Sequence, residues 1–107
     1  MNKGILIDPF NQTIKTIDIK GFRDIQRAIQ ADLFACVDIG ENTLFVDDEG
    51  LINGTELAVR FENEVYPQPL AGRVLILGNG PCGESADCTF SVKDVYGMVR
   101  GILPIIA

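Results

Sequence analysis

The chain has 107 residues, 47% of them hydrophobic and 22% charged, a size and balance that predict one domain burying roughly 65% of its unfolded surface. Nine Lys and Arg against fifteen Asp and Glu give a net charge of -6, which disfavours nucleic-acid backbones and anionic membranes; it reads first as a charge that serves solubility, with a match to a basic partner as the alternative. No histidine is present, which excludes Ser-His-Asp and Cys-His catalysis, and no apolar run reaches the ~20 residues needed to cross a bilayer.

The first residues lead straight into a strand at 5–7, not into a signal peptide, and three cysteines, Cys36, Cys82 and Cys88, fit a reducing compartment; a cytoplasmic protein is expected. Asp8-Pro9-Phe10-Asn11 reads as a turn, and 13–19 as the second strand of an antiparallel hairpin. Phe22, Ile25, Ala28 and Ile29 recur at helical spacing, which predicts an amphipathic helix over 21–30 held by packing on a sheet. Residues 33–39 alternate, with Leu33, Ala35, Val37 and Ile39 on one parity; Gly40-Glu41-Asn42 closes a second hairpin, returning through 43–47. Turns at 47–50 and at Asn53-Gly54 flank Leu51 and Ile52. Residues 55–62 read as a strand, with a helix capped by Thr55 as the alternative.

Pro67 and Pro69 make 66–69 an extended, polyproline-like arm without ladder pairing. The arm enters 73–77, where Val74, Leu75, Ile76 and Leu77 are apolar on both parities, which suits a central strand covered on both faces; a buried helical turn has the same pattern, and the short length and β-branched content favour the strand. Ser91 as N-cap with Asp94 at the third helical position opens a second helix, striped by Val92, Val95, Tyr96 and Val99 and stopped at Arg100-Gly101. In the tail, 102–107, each large aliphatic left in water would forgo about 1.5–3 kcal/mol of burial, so it is expected to pack on the domain or on another subunit. The pattern describes a compact single α+β domain over 1–107, with a mostly antiparallel sheet of about five to six strands and two short helices.

Gly78-Asn79-Gly80-Pro81-Cys82-Gly83 has the spacing of a dinucleotide fingerprint after an apolar strand, but the next helix starts only at Ser91 and no second parallel strand follows. It reads as a glycine-rich loop; Arg73 with Gly78, Asn79 and Gly80 forms the alternative, a small-ligand site on backbone amides. Cys82 and Cys88 read as loop residues, with a reactive thiol, disulfide or metal site as alternatives, though structural zinc needs four ligands. Asp47, Asp48 and Glu49 read as a solvated turn: taking Asp47 as the first calcium ligand places Leu51 fifth, where an oxygen is needed. No cofactor and no metal are expected.

The segments G-I-L-I-D-P-F, F-V-D-D-E-G-L-I-N-G and Y-P-Q-P-L-A-G-R-V-L-I-L-G resemble the DUF3846 family, small proteins of bacteriophages, plasmids and other mobile elements catalogued as a domain of unknown function. The likeness spans residues 3–78. It implies a mobile-element protein expressed inside a bacterial host and supplies no catalytic residues. The expectation is a non-catalytic accessory protein that binds a host protein stoichiometrically, as in counter-defence or host takeover, through Asp47, Asp48, Glu49, Asn53, Tyr66 and Gln68. A small-ligand binder sequestering a nucleotide signal, a nucleic-acid mimic and an all-carboxylate enzyme are the alternatives, and a homo-oligomer through the C-terminal tail is a further expectation.

Overall fold

A computed structural model describes residues 2–48, 57–80 and 85–104. Strands β1 (Asn2–Asp8) and β2 (Thr13–Ile19) form the expected hairpin, in register from Asn2 opposite Ile19 to Asp8 opposite Thr13. Helix α1 (Phe22–Ile29) follows and ends on Gln30, whose left-handed backbone lets Ala31 N donate back to Gln26 O at 3.1 Å. Strands β3 (Phe34–Ile39) and β4 (Asn42–Asp47) are joined by Gly40 and Glu41 alone. Gly40 takes φ 62 at the first central position, the residue and sign a two-residue hairpin of the II′ kind demands.

The remaining elements are β5 (Leu57–Phe61), β6 (Leu70–Ala71), β7 (Val74–Asn79), β8 (Ser85–Ala86), α2 (Val92–Met98) and β9 (Val99–Pro104). The main sheet runs β2-β1-β7-β4-β3, with β8 pairing the end of β7, and every pairing is antiparallel. Strand β7 lies at its centre, which is why four successive residues, Val74 to Leu77, are all apolar and all fully buried. Leu75 and Leu77 join Phe45 and Ile19 beneath Ile25 and Ile29 of α1. Val74 and Ile76 join Ile5, Ile7, Leu44 and Val46 against Val59, Phe61 and Leu70 of a second sheet and Val95 of α2. The fold is therefore α+β: a mostly antiparallel sheet of six strands covered on one face by α1 and on the other by α2 and a three-stranded sheet, β6-β5-β9.

Four local expectations change. Helix α2 opens as expected, with Asp94 N donating to Ser91 Oγ at 3.1 Å and Ser91 N to Asp94 Oδ2 at 2.9 Å, but it stops at Met98. Val99, expected on the helix stripe, is already extended and lies opposite Phe61, because β5 offers an edge that the last residues can pair with. The tail is thus a strand of the second sheet through residue 104, and 105–107 lie outside the described residues. Gly78 and Asn79, expected in a loop, continue β7 and pair with β4 and β8, and Ser85, expected in the same loop, is the first residue of β8. Phe22, expected on the buried stripe of α1, is 62% exposed at the first helical position. Among the described residues no helix is long and apolar enough to cross a membrane.

Candidate functional site

The hydrogen-bond phase of β3 determines what its outer edge presents. Asp48 N donates to Leu33 O at 3.2 Å, and the tight turn makes Ile39 and Asn42 the last bonded pair. In an antiparallel ladder bonded pairs alternate, so Leu33, Ala35, Val37 and Ile39 turn their backbone groups toward β4. The N–H and C=O groups of Phe34, Cys36 and Asp38 therefore point away from it. Among the described residues β3 pairs only with β4, which leaves this row open.

The surroundings of that row are apolar on top and acidic along the hairpin. Phe22 lies 5.0 Å from Phe34 between ring centroids, and Phe34 meets the buried Phe45 edge-on at 5.3 Å, an aromatic stack running from surface to core. Leu33, just before the strand, is 57% exposed. Residues 32–48 carry five carboxylates, Asp32, Asp38, Glu41, Asp47 and Asp48, and no basic residue. Cys36 is exposed on the open row; burial and then the neighbouring Asp38 charge push its thiol above the ordinary value, so it is held protonated and is a poor nucleophile at neutral pH.

The described members of the expected partner-binding set, Asp47, Asp48, Tyr66 and Gln68, do not form one patch. Asp47 ends β4 on the α1 side and lines a polar cleft of about 620 Å³ with Arg23, Gln26, Arg27 and Gln30 of the helix and with Asp32. Asp48 is exposed beside the start of β3. Tyr66 is on the opposite face, packed against the core under the second sheet, with its N–H donating to Glu62 O at 3.0 Å, and Gln68 is exposed in the following loop. Glu49 and Asn53 lie outside the described residues.

The alternative ligand set is also divided, because Arg73 enters β7 at one end while Gly78, Asn79 and Gly80 leave it at the other, about 17 Å away at ordinary strand rise. Each member has a structural role. Arg73 Nε contacts Asp8 Oδ2 at 3.3 Å, and its guanidinium lies 4.6 Å from the Phe10 ring centroid. Gly78 is required by close approach: a Cβ there would collide with the Asp87 carbonyl oxygen. Asn79 N donates to Glu41 O at 2.8 Å, and its Oδ1 is 2.7 Å from the Thr43 hydroxyl. After Gly80 the chain returns as β8 antiparallel to β7, where a dinucleotide fold would need a parallel crossover.

Two features escaped the sequence. Asp8, read as a turn residue, is a buried acid. Burial opposes its ionisation more than any other influence, yet the hydrogen bonds from Asn11 and the Arg73 charge together outweigh that and hold its carboxyl below the ordinary value. The acid before a Pro-containing turn and the arginine before the apolar run were each visible; their pairing was not. The open β3 edge was equally hidden, since strand order is not written in any local pattern. Cys88 is half-buried, its thiol pushed up by burial foremost, and Cys82 lies outside the described residues. Among the described residues no three His, Cys, Asp or Glu side chains group to hold a metal ion.

A family model described as a domain of unknown function, DUF3846, matches residues 1–99. No curated protein and no solved structure matches the chain.

Proposed function

The chain belongs to the DUF3846 family, and from that premise, which assigns no activity, we propose that it is a non-catalytic protein acting by stoichiometric binding to a basic protein of its host cell. The observation that supports this reading is the open β3 edge, with the outward backbone groups of Phe34, Cys36 and Asp38 in a hairpin of five carboxylates. Such an edge binds by strand addition: an extended segment of the partner supplies main-chain hydrogen bonds, and its side chains select the site. Phe22 and Leu33 offer apolar contact, and Asp32 and Asp48 at one end with Asp38 and Glu41 toward the other favour Lys or Arg on the incoming segment. A second copy of this chain is the wrong occupant here, because it would set five carboxylates against five.

The test uses a partner captured from host lysate, then purified and titrated against defined variants. Cys36→Pro removes an outward N–H and no β3–β4 bond, so it should leave the fold intact while weakening binding about tenfold or more, equivalent to ~1.4 kcal/mol. Cys36→Ser keeps the N–H and should bind normally. Exchange of the Phe34, Cys36 and Asp38 amides should slow when partner is added, and affinity should fall with salt. Binding that is indifferent to Cys36→Pro and to charge reversal at Asp32, Asp38 and Asp48 refutes the reading.

A further inference from the structure

The two faces of β3 differ in character, and a strand laid along its open edge has to match both. Phe34, Cys36 and Asp38 stand opposite Asp47, Phe45 and Thr43 of β4, and because Phe34 and Phe45 belong to the core beneath α1, all three point to the α1 face. Ala35, Val37 and Ile39 take the other parity and pack against the core shared with the second sheet. They are only partly buried, so the edge carries an aliphatic row that a further strand would cover.

The one charge within β3 lies on the α1 face. All nine Lys and Arg fall within the described residues, and none forms an ion pair with Asp38 or with Glu41 in the adjoining turn. Asp38 Oδ1 accepts the Thr43 hydroxyl at 2.7 Å, which leaves Oδ2 of this exposed residue for a cation. At the other end of the strand Asp32 and Asp47 share their cleft with Arg23 and Arg27, so attraction for an incoming cation is strongest beside Asp38. Beside Phe34 a newcomer meets the paired rings of Phe22 and Phe34 instead.

Resting on the reading of β3 as the partner edge, the geometry points to the sequence pattern of the segment it takes. Aliphatic residues occupy alternate positions, set beside Ala35, Val37 and Ile39. On the opposite parity stands a Lys or Arg beside Asp38 and a long side chain beside Phe34, its stem lying on the two rings. Residues directly opposite each other share a face whichever way the added strand runs, so the pattern holds for both directions. A slip of one residue would set the cation against Val37 or Ile39 and an aliphatic side chain beside Asp38, so the same alternation fixes the register. The partner segment is thus an amphipathic basic strand, and positive charge without the alternation is not enough.

Two synthetic peptides of one composition test this, Lys alternating with Val and the same residues in two blocks, each titrated into the full chain by calorimetry. The alternating peptide should bind about tenfold tighter or more, and Cys36→Pro should remove that preference. Asp38→Asn, which keeps an acceptor for Thr43, should weaken the alternating peptide by about threefold or more, and should weaken a version with Gln in place of Lys by less. In the wild-type chain the Phe34, Cys36 and Asp38 amides should gain exchange protection on adding the alternating peptide, a readout that needs no variant to fold. Block and alternating peptides of equal affinity, both weakened by Cys36→Pro, overturn the pattern and leave strand addition standing. Binding of both that is indifferent to Cys36→Pro and protects none of the three amides overturns strand addition and the pattern with it. No binding of the alternating peptide overturns the pattern alone, since the edge is judged separately with the captured partner.

Discussion

Replacing Asp8 by Ala separates the structural account of Arg73 from the idea that this arginine is reserved for a ligand. Asp8 accepts hydrogen bonds from Phe10 N at 3.0 Å, Asn11 N at 3.2 Å and Asn11 Nδ2 at 2.8 Å, and it faces Arg73 Nε at 3.3 Å. The side chains of the pair are 9% and 17% exposed, so surface screening removes little of their interaction. Losing one partner of a buried pair costs about 3–5 kcal/mol. The turn amides belong to exposed residues that can regain water, which places the net loss near ~3 kcal/mol. For a chain of this length that lowers the melting temperature by roughly 10–20 °C.

The assay is thermal and urea unfolding followed by circular dichroism, at neutral pH and again in acid. Because the folded carboxyl titrates below its ordinary 3.8, the Asp8 contribution is fully present above that value and is lost as pH falls through the folded one. The gap between wild type and Asp8→Ala should therefore narrow below about pH 4. Asp8→Asn with Arg73→Met should recover part of the loss by removing the stranded cation. A single Asp8→Ala variant melting with the wild type at neutral pH, or a gap that does not change with acid, refutes the reasoning.

Gly78→Ala should lower the unfolding free energy obtained from urea titration by about 1–3 kcal/mol or more, since the new methyl collides with the Asp87 backbone carbonyl and one of the two segments must move. The displacement should also expose the Cys88 amide, which now donates to Lys3 O at 2.8 Å, to faster exchange. Ser91→Ala should cost about 1 kcal/mol by emptying the cap of α2, and Ser91→Asp should restore most of it; unchanged unfolding in Ser91→Ala would mean the capping box contributes nothing.

The elements that local chemistry could specify were readable from the residues. Apolar residues on both parities at 74–77 fitted a strand buried on both faces or a buried helical turn, the short length and β-branched content favoured the strand, and β7 is the central strand. The alternation Leu44, Phe45, Val46 assigned those side chains to opposite faces, and the structure divides them between the two cores. Ser91 and Asp94 marked a helix start to the residue because a cap is satisfied within four positions. Where the last helix ends was not local: Val99 satisfies a helical stripe as well as it satisfies a strand, and the vacant edge of β5, nearly forty residues earlier, decides for the strand.

The sequence alone therefore determined composition, charge, the lack of histidine chemistry, and the type of most elements, since these depend on neighbours along the chain. Only the tertiary structure decided which strands are edges, that Asp8 and Arg73 meet, that Arg73 and Gly78 stand at opposite ends of one strand, and that Gly78 is glycine because Asp87 crosses it. Those facts arise from contacts between residues far apart in sequence. A backbone N–H left open on β3 looks, residue by residue, the same as one bonded in the middle of the sheet.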